Sequence, residues 1–183
     1  MTPGRPRPRS AKALRLRRAA VRDARALAAV MRAAVGGVAP GTYPARTLAA
    51  WASLPALYHA WAMTAGGETI VLAERLGRAV GYAGLRGAEV TALFVRPQAS
   101  RRGVASALLD RLEALARRRG VPVLRVDAAR SGVAFYRARG FSGDRSVRVP
   151  LPGGSLAAVR LSKPLPVPSH GRRRGTQART PRR

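Results

Sequence analysis

The 183-residue chain is predicted to form one domain of the mixed α/β class, with a mostly antiparallel central sheet flanked by helices. The length fits a single domain of about 100–200 residues. The hydrophobic content of 46% is that of an ordinary globular protein with a buried core. Strand and helix signals follow one another in the order β-α-α-α-β-β-β-α-β-α-β-β. Short turns join the three consecutive strands, which favours antiparallel pairing.

The first third of the chain predicts one strand and three helices. A short strand covers 14–18, and Asp23 is placed to cap a helix over 24–35 with apolar residues at helical spacing. The uncharged run 47–67 is long enough to span a bilayer. Pro55 interrupts it, so we interpret the run as two short buried helices and expect no membrane insertion.

The rest of the chain supplies most of the predicted sheet and the longest helix. The long helix carries apolar residues on one face and three arginines in its last turn, where positive charge is favourable. The predicted elements are strands over 69–74, 79–85 and 89–95, a helix over 102–119, a strand over 121–126, a short helix over 131–140, and strands over 145–149 and 156–161.

Both ends of the chain differ in composition from its middle. Residues 1–13 and 164–183 are rich in proline and arginine, hold ten basic residues and no acid, and lack an apolar pattern that could pack. We therefore expect two disordered basic tails around a folded domain at 14–163.

The charge of the chain is strongly positive, with 35 basic residues against 8 acidic ones and a formal net charge of +27. Lys12 and Lys163 are the only lysines, so 33 of the basic residues are arginines. One interpretation is a polyanionic partner, either nucleic acid or a phosphorylated cofactor. The other is a genome whose codon usage favours arginine and alanine. Removing the tails leaves 25 basic residues, so the domain itself is basic.

The absence of cysteine excludes disulfides, thiolate metal sites and a cysteine nucleophile. His59 and His170 are the only histidines, which excludes a histidine-rich metal cluster, and we expect no metal. A cysteine-free chain fits a reducing compartment, and we expect a cytoplasmic location.

The most informative stretch is 93–106, where a strand ends, a short loop follows and a helix begins at small residues. The first amides of a helix have no partner within it, and the helix dipole favours an anion in front of them. Gly103 and Ala105 leave room for a phosphate, and Arg101 and Arg102 add positive charge. Neither GxxxxGK[ST] nor GxGxxG occurs here, so the usual nucleotide motifs do not explain the stretch.

This stretch resembles the acyl-CoA-binding segment of the GNAT N-acetyltransferase superfamily. The pattern there is [Gln/Arg]-x-x-Gly-x-[Gly/Ala] after a strand ending in Val-x-Pro, and 101–105 fit it with Ser100 as a departure at the first place. A second segment, 134–141, resembles the FYxxxGF helix of the same superfamily, and Ser131 stands where many members place asparagine. The order of elements also matches, so the resemblance covers 14–163. Within the superfamily, the chain is similar to small bacterial members.

The resemblance implies direct acetyl transfer from acetyl-CoA, as co-substrate, to an amine, without a covalent enzyme intermediate. It implies that the backbone of the strand before the loop pairs with the pantetheine arm and that one amide there stabilises the developing oxyanion. The implied cofactor-binding residues are Leu93, Phe94, Val95, Ser100, Arg101, Arg102, Gly103, Val104, Ala105, Ser106 and Ser131.

Two catalytic roles follow from this chemistry. Glu89 is the candidate base, because it is the one carboxylate on its strand and strict alternation places it on the face of Thr91 and Leu93; Asp127 is its rival. Tyr136 is the candidate acid for the CoA thiolate, because its helix lies beside the sulfur in the family. Aromatic residues could wall the acceptor pocket or simply pack in the core: Tyr43, Trp51, Tyr58, His59 and Trp61.

Two alternatives to a small-molecule or peptide acetyltransferase stay open. The basic surface would also suit a nucleic-acid-binding module on the same scaffold, or an enzyme that acetylates an RNA-linked amine. The sequence does not favour nucleic acid as a partner, and it leaves both the acceptor amine and a homodimer open.

Overall fold

The computed structural model describes residues 13–166, and within them the predicted order of elements is confirmed. Both predicted tails fall almost entirely outside these residues. β7 runs to Pro164 and Leu165 is buried, so the folded part extends past 163, where the domain was expected to end. The strands are β1 (Arg15–Arg18), β2 (Thr69–Arg75), β3 (Arg78–Arg86), β4 (Glu89–Val95), β5 (Val123–Ala129), β6 (Ser142–Leu151) and β7 (Gly154–Pro164). The helices are α1 (Ala24–Gly36), α2 (Ala45–Ala52), α3 (Ala56–Met63), α4 (Val104–Arg118) and α5 (Val133–Ala138).

The seven strands form one sheet in the order β1-β2-β3-β4-β5-β7-β6. Only the β4–β5 pair is parallel; the other described pairs are antiparallel. Alternate side chains of β2 show how the faces are covered. Val71 and Ala73 pack in the cluster that contains α4, whereas Ile70 and Leu72 pack in the cluster that contains α1. The sheet is therefore buried on both faces.

The start of α1 differs from the prediction. The Asp23 side chain makes no capping hydrogen bond to α1. Its Oδ2 atom instead accepts the backbone N–H of Ala20 at 2.8 Å and a hydrogen bond from Arg17 at 2.7 Å. Arg17 thereby holds the pKa of Asp23 at about 2, below its ordinary value. Asp23 therefore fixes the turn before α1 to β1 rather than capping the helix.

The arginines at the end of α4 have structural partners. Arg117 pairs with the buried carboxylate of Glu113 at 2.7 Å, and Lys163 of β7 reaches the same carboxylate at 2.6 Å. Arg119 donates a hydrogen bond to the Thr69 hydroxyl at 2.7 Å. These contacts tie the end of α4 to the sheet.

The uncharged run 47–67 forms most of α2, a break at Pro55, and α3, as predicted. The expectation that both helices are buried is wrong: α2 has no buried residue and α3 buries only His59 and Ala62, because the two helices pack on α1 at the surface of the domain. Among residues 13–166, no helix combines the length and apolar character needed to cross a membrane.

Candidate functional site

The sheet opens between β4 and β5. These strands pair only at Glu89–Arg125 and Val90–Val126. Beyond these pairs, β4 continues against β3 alone, and β5 continues to Ala129 against β7. Strand β5 was predicted to end at 126; it is longer because its last three residues pair with β7. The two strands diverge and leave a wedge-shaped gap in the sheet.

A β-bulge at Thr91 changes which side chains of β4 face each side of the sheet. The residues before and after Thr91 pair with consecutive residues of β3, so Thr91 has no partner opposite it. Val90 and Leu93 therefore pack on the α4 side, and Ala92 packs on the α1 side. Strict alternation, which placed Leu93 on the face of Glu89, is wrong because the extra residue shifts the period of two.

A cavity of about 380 Å³ occupies the gap between β4 and β5. Its walls come from 90–95 of β4, 126–129 of β5, the turn before α5 and the end of α1. Ser100 closes one end, at the loop that leads to α4. Of the eleven residues predicted to bind the cofactor, Leu93, Phe94, Val95, Ser100 and Ser131 line this cavity.

Two residues of the loop before α4 have left-handed backbone conformations. Arg101 and Gly103 both adopt positive φ angles, 57° and 76°. A Cβ atom added to Gly103 would meet no atom within 4 Å, so the space in front of the helix is open. The amides of Val104, Ala105 and Ser106 begin α4 and have no partner within the helix. Because Val104 is buried, it can offer a ligand only its backbone.

Tyr136 lies at the opposite wall of the cavity, on α5. Its ring packs edge-on against Phe135 and Phe141, with centroids 5.3 and 5.4 Å away. Burial raises the pKa of the Tyr136 phenol well above its ordinary value, so the hydroxyl is protonated at neutral pH and is available as a donor.

Neither predicted candidate base has a free carboxylate at the cavity. Glu89 stands at the closed start of the gap, outside the cavity lining, and pairs with Arg86 at 3.5 Å. Asp127 lines the cavity, but Arg160 binds both of its carboxylate oxygens, at 2.7 and 2.8 Å.

Within residues 13–166, no three His, Asp or Glu side chains converge as metal ligands.

Glu68, a carboxylate at the junction of α3 and β2, was not among the site residues predicted from the sequence. Its residue is only 9% exposed, and its Oε1 atom accepts a hydrogen bond from the hydroxyl of Thr91, the bulge residue of β4. Thr91 in turn lines the cavity. The only sequence signal is the position of Glu68 between Gly67 and a buried apolar strand, which does not show what it contacts.

The aromatic residues expected around the acceptor pocket separate into distinct environments. Trp51 lines the cavity and packs edge-on against Phe94. His59 is buried without a partner for Nε2, and burial lowers its pKa to about 4, so it is neutral at pH 7. Tyr58 and Trp61 are 43% and 51% exposed and lie outside the cavity lining.

Tyr43 holds two parts of the domain together. Its hydroxyl donates to the carbonyl of Ala157 at 3.0 Å and accepts the N–H of Arg130 at 2.6 Å. It therefore connects the loop before α2 to β7 and to the turn that carries Ser131.

Tyr43→Phe is expected to lower stability. The change leaves the N–H of Arg130 and the carbonyl of Ala157, which form partly buried hydrogen bonds in wild type, without their partner, at a cost of about 2 kcal/mol. For a domain of this size that corresponds to a Tm lower by roughly 4–8 °C in a thermal melt. Tyr58→Phe is the matched control, because its hydroxyl makes no hydrogen bond within residues 13–166 and this variant should melt like wild type. Equal melting of both variants would contradict the role of Tyr43.

Comparison with known proteins is consistent with this geometry. The sequence model described as "Acetyltransferase (GNAT) domain" matches residues 42–149, more than half of the chain. The chain belongs to the GNAT acetyltransferase family. It is therefore an acyltransferase, and the family expected from the loop and the α5 segment is confirmed.

Solved structures agree with this assignment. A GCN5-related N-acetyltransferase from Rhodopseudomonas palustris is 31% identical, with a TM-score of 0.76 over 82% of this chain and 95% of that one. An N-acetyltransferase of Thermoplasma acidophilum in complex with coenzyme A is 18% identical, with a TM-score of 0.67 over 83% and 99%. A Salmonella typhimurium protein solved with acetyl-CoA is 20% identical, with a TM-score of 0.62 over 87% and 96%. Among curated proteins, none matches the chain.

Proposed function

We propose that this GNAT member transfers the acetyl group of acetyl-CoA to a primary amine of a small molecule or peptide, by direct attack in a ternary complex. The observation that carries the proposal is the cavity between β4 and β5, which ends at the open loop before α4. The first amides of α4 would hold one end of the cofactor, and the cavity residues Ser131 and Tyr136 would lie near its other end.

The residues present fit acetyl-CoA. The amides of 104–106 and the side chains of Arg101 and Arg102 would hold the pyrophosphate in front of α4. Beyond Val90, the edge of β4 that faces β5 has no strand beside it within the described residues, so its backbone groups are available to a pantetheine amide. Ser131 stands on the facing wall.

The chemistry needs no protein nucleophile, which suits a chain without cysteine. The amine attacks the thioester carbonyl, and an amide of β4 near Phe94 would stabilise the oxyanion. Tyr136 would donate a proton to the leaving thiolate. We do not assign the base to Glu89, because its side chain is 45% exposed and its carboxylate is paired with Arg86 at 3.5 Å.

The basic surface supports a second proposal, a nucleic-acid partner or an RNA-linked amine. One experiment separates the two: measuring CoA thiol release with amines and, in parallel, the salt dependence of RNA binding. Thiol release with free amines supports the first proposal. Salt-sensitive RNA binding without any thiol release would favour a nucleic-acid-binding module.

A further inference from the structure

Among the eight acidic residues of the chain, Glu68 is exceptional. All eight lie within residues 13–166, and six of them form ion pairs with basic side chains: Asp23, Glu74, Glu89, Asp110, Glu113 and Asp127. Asp144 is exposed on β6. Glu68 is buried, yet within the described residues no basic side chain comes within 4 Å of it.

Burying a carboxylate without a cation is unfavourable, because the charge loses its hydration and gains nothing in return. This chain has 35 basic residues available to pair with it. Burial accordingly raises the pKa of Glu68 above its ordinary value of 4.5. A buried carboxylate without a cation is therefore suited to a cation that arrives from outside the chain.

The surroundings of Glu68 hold it against Thr91, a residue of the cavity wall, although Glu68 itself is not part of that wall. A Cβ atom on Gly84 would lie 1.7 Å from Glu68 Oε1, so the absence of a side chain at this position makes room for the carboxylate. The hydroxyl of Thr91 donates to the same oxygen and lines the cavity. Oε2 makes no hydrogen bond within the described residues.

The charged and titratable groups that interact electrostatically with Glu68 are Arg86, Glu89, Tyr82 and Tyr58. Arg86 and Glu89 influence its pKa in opposite directions and pair with each other at 3.5 Å. The ring of Tyr82, whose pKa is raised by burial and by the Glu68 charge, packs on Phe94 of β4 with centroids 5.4 Å apart. Partial burial, and to a smaller extent the Glu68 charge, raises the pKa of the Tyr58 hydroxyl.

We propose that Glu68 binds the ammonium group of the acceptor at Oε2 and accepts its proton before the attack on acetyl-CoA. The assignment rests on the proposed function above. It also defines the acceptor class as a primary amine with one positive charge on an apolar or aromatic body. A second ammonium would find no further unpaired buried carboxylate within the described residues. Trp51 and Phe94 line the cavity beside Thr91, and Phe94 packs against Tyr82.

The proton balance of the step is complete. The ammonium gives one proton to Glu68 and becomes a neutral amine, whose nitrogen forms the C–N bond to the acetyl carbon. A second proton leaves the nitrogen as the C–S bond breaks and the amide forms. One of the two protons ends on the CoA sulfur, delivered through Tyr136, and the other passes to solvent.

The test compares Glu68→Gln with wild type, using tyramine and spermidine as acceptors. Glu68→Gln keeps the size of the side chain but removes its charge and basicity. We expect kcat/KM for tyramine to fall about 100-fold at pH 7, the lower end for loss of a general base. The loss should shrink as the pH approaches the pKa of the free amine, near 10. The affinity for acetyl-CoA should be unchanged, and wild type should prefer tyramine to spermidine.

Thermal stability supplies a readout that does not depend on activity. Because folding raises the pKa of Glu68, this residue lowers the free energy of unfolding of wild type only above about pH 4.5, where it is ionised in the unfolded chain. The Tm of Glu68→Gln at pH 7 should therefore be equal to or higher than that of wild type. Any such difference in Tm should disappear as the pH falls and Glu68 becomes protonated in both states. Glu74→Gln, on the strand that follows Glu68, is the matched control; it breaks an ion pair with Arg17 and should leave the pH–rate profile unchanged.

Several results would overturn the assignment. A Glu68→Gln enzyme with the wild-type pH–rate profile would do so, as would a loss confined to Glu89→Gln or a preference for spermidine. A lower Tm for Glu68→Gln at pH 7 would show that the carboxylate has a structural role instead. A wild type that binds acetyl-CoA but acetylates neither amine would overturn the proposed function together with this assignment.

Discussion

Gly103→Glu is expected to abolish acetyl-CoA binding while the domain stays folded. The new carboxylate would enter the open space in front of α4, where a phosphate is expected to bind. Like charges at such close range cost several kcal/mol, and a loss of about 5 kcal/mol weakens Kd roughly 5,000-fold, which leaves no binding that calorimetry detects. Isothermal titration calorimetry with acetyl-CoA measures the change directly.

A matched control separates the charge from the backbone strain. Gly77, in the turn between β2 and β3, has a φ angle of 72°, close to the 76° of Gly103, and also has no atom within 4 Å of an added Cβ. Gly77→Glu should melt a few degrees lower than wild type, as Gly103→Glu should, because a side chain is strained at positive φ. It should bind acetyl-CoA normally. Wild-type affinity in Gly103→Glu would show that the phosphates bind elsewhere.

Tyr136→Phe is expected to slow acetyl transfer about 100-fold, at the lower end of the range for general acid catalysis. The ring keeps its contacts with Phe135 and Phe141, so only the hydroxyl is lost. If the hydroxyl acts only in the transition state, kcat and kcat/KM fall together. The affinity for acetyl-CoA should stay within about twofold of wild type.

Single-turnover kinetics by rapid quench measure this chemical step without product release. Tyr43→Phe is the control, because it removes a tyrosine hydroxyl that supports the same region but does not line the cavity. That variant should lose stability and keep the rate of the chemical step. If Tyr136→Phe turns over within about a factor of two of wild type, a water molecule rather than Tyr136 is the acid.

The sequence predicted the features that depend on local pattern. The loop before α4 could be identified because a strand end, small residues and arginines follow one another within 93–106. The break at Pro55 and the order of the strands are also local signals, and the structure confirms them. The predicted limits of β5 were less accurate, because its last three residues form strand only by pairing with β7.

The features that the sequence did not predict depend on contacts between distant residues. Thr91 forms a bulge because of its register with β3, and this shift moves Leu93 to the opposite face from Glu89. Glu68 and Thr91 are 23 positions apart, and Tyr43 is 114 positions from Ala157. No periodicity or motif indicates such pairs. The prediction of Glu89 as the base therefore rested on its position on β4 alone.

The most direct test of the central claim is to measure amide formation and CoA thiol release together. Wild-type enzyme is incubated with acetyl-CoA and either tyramine, spermidine or an alanine-initiated peptide. The acetylated amine is quantified by mass spectrometry, and the free thiol is quantified with a colorimetric reagent. An amine acetyltransferase should give equal amounts of amide and thiol with at least one acceptor, and neither product with Gly103→Glu. Thiol release without amide, or no reaction by a wild type saturated with acetyl-CoA, would contradict acetyl transfer to these amines.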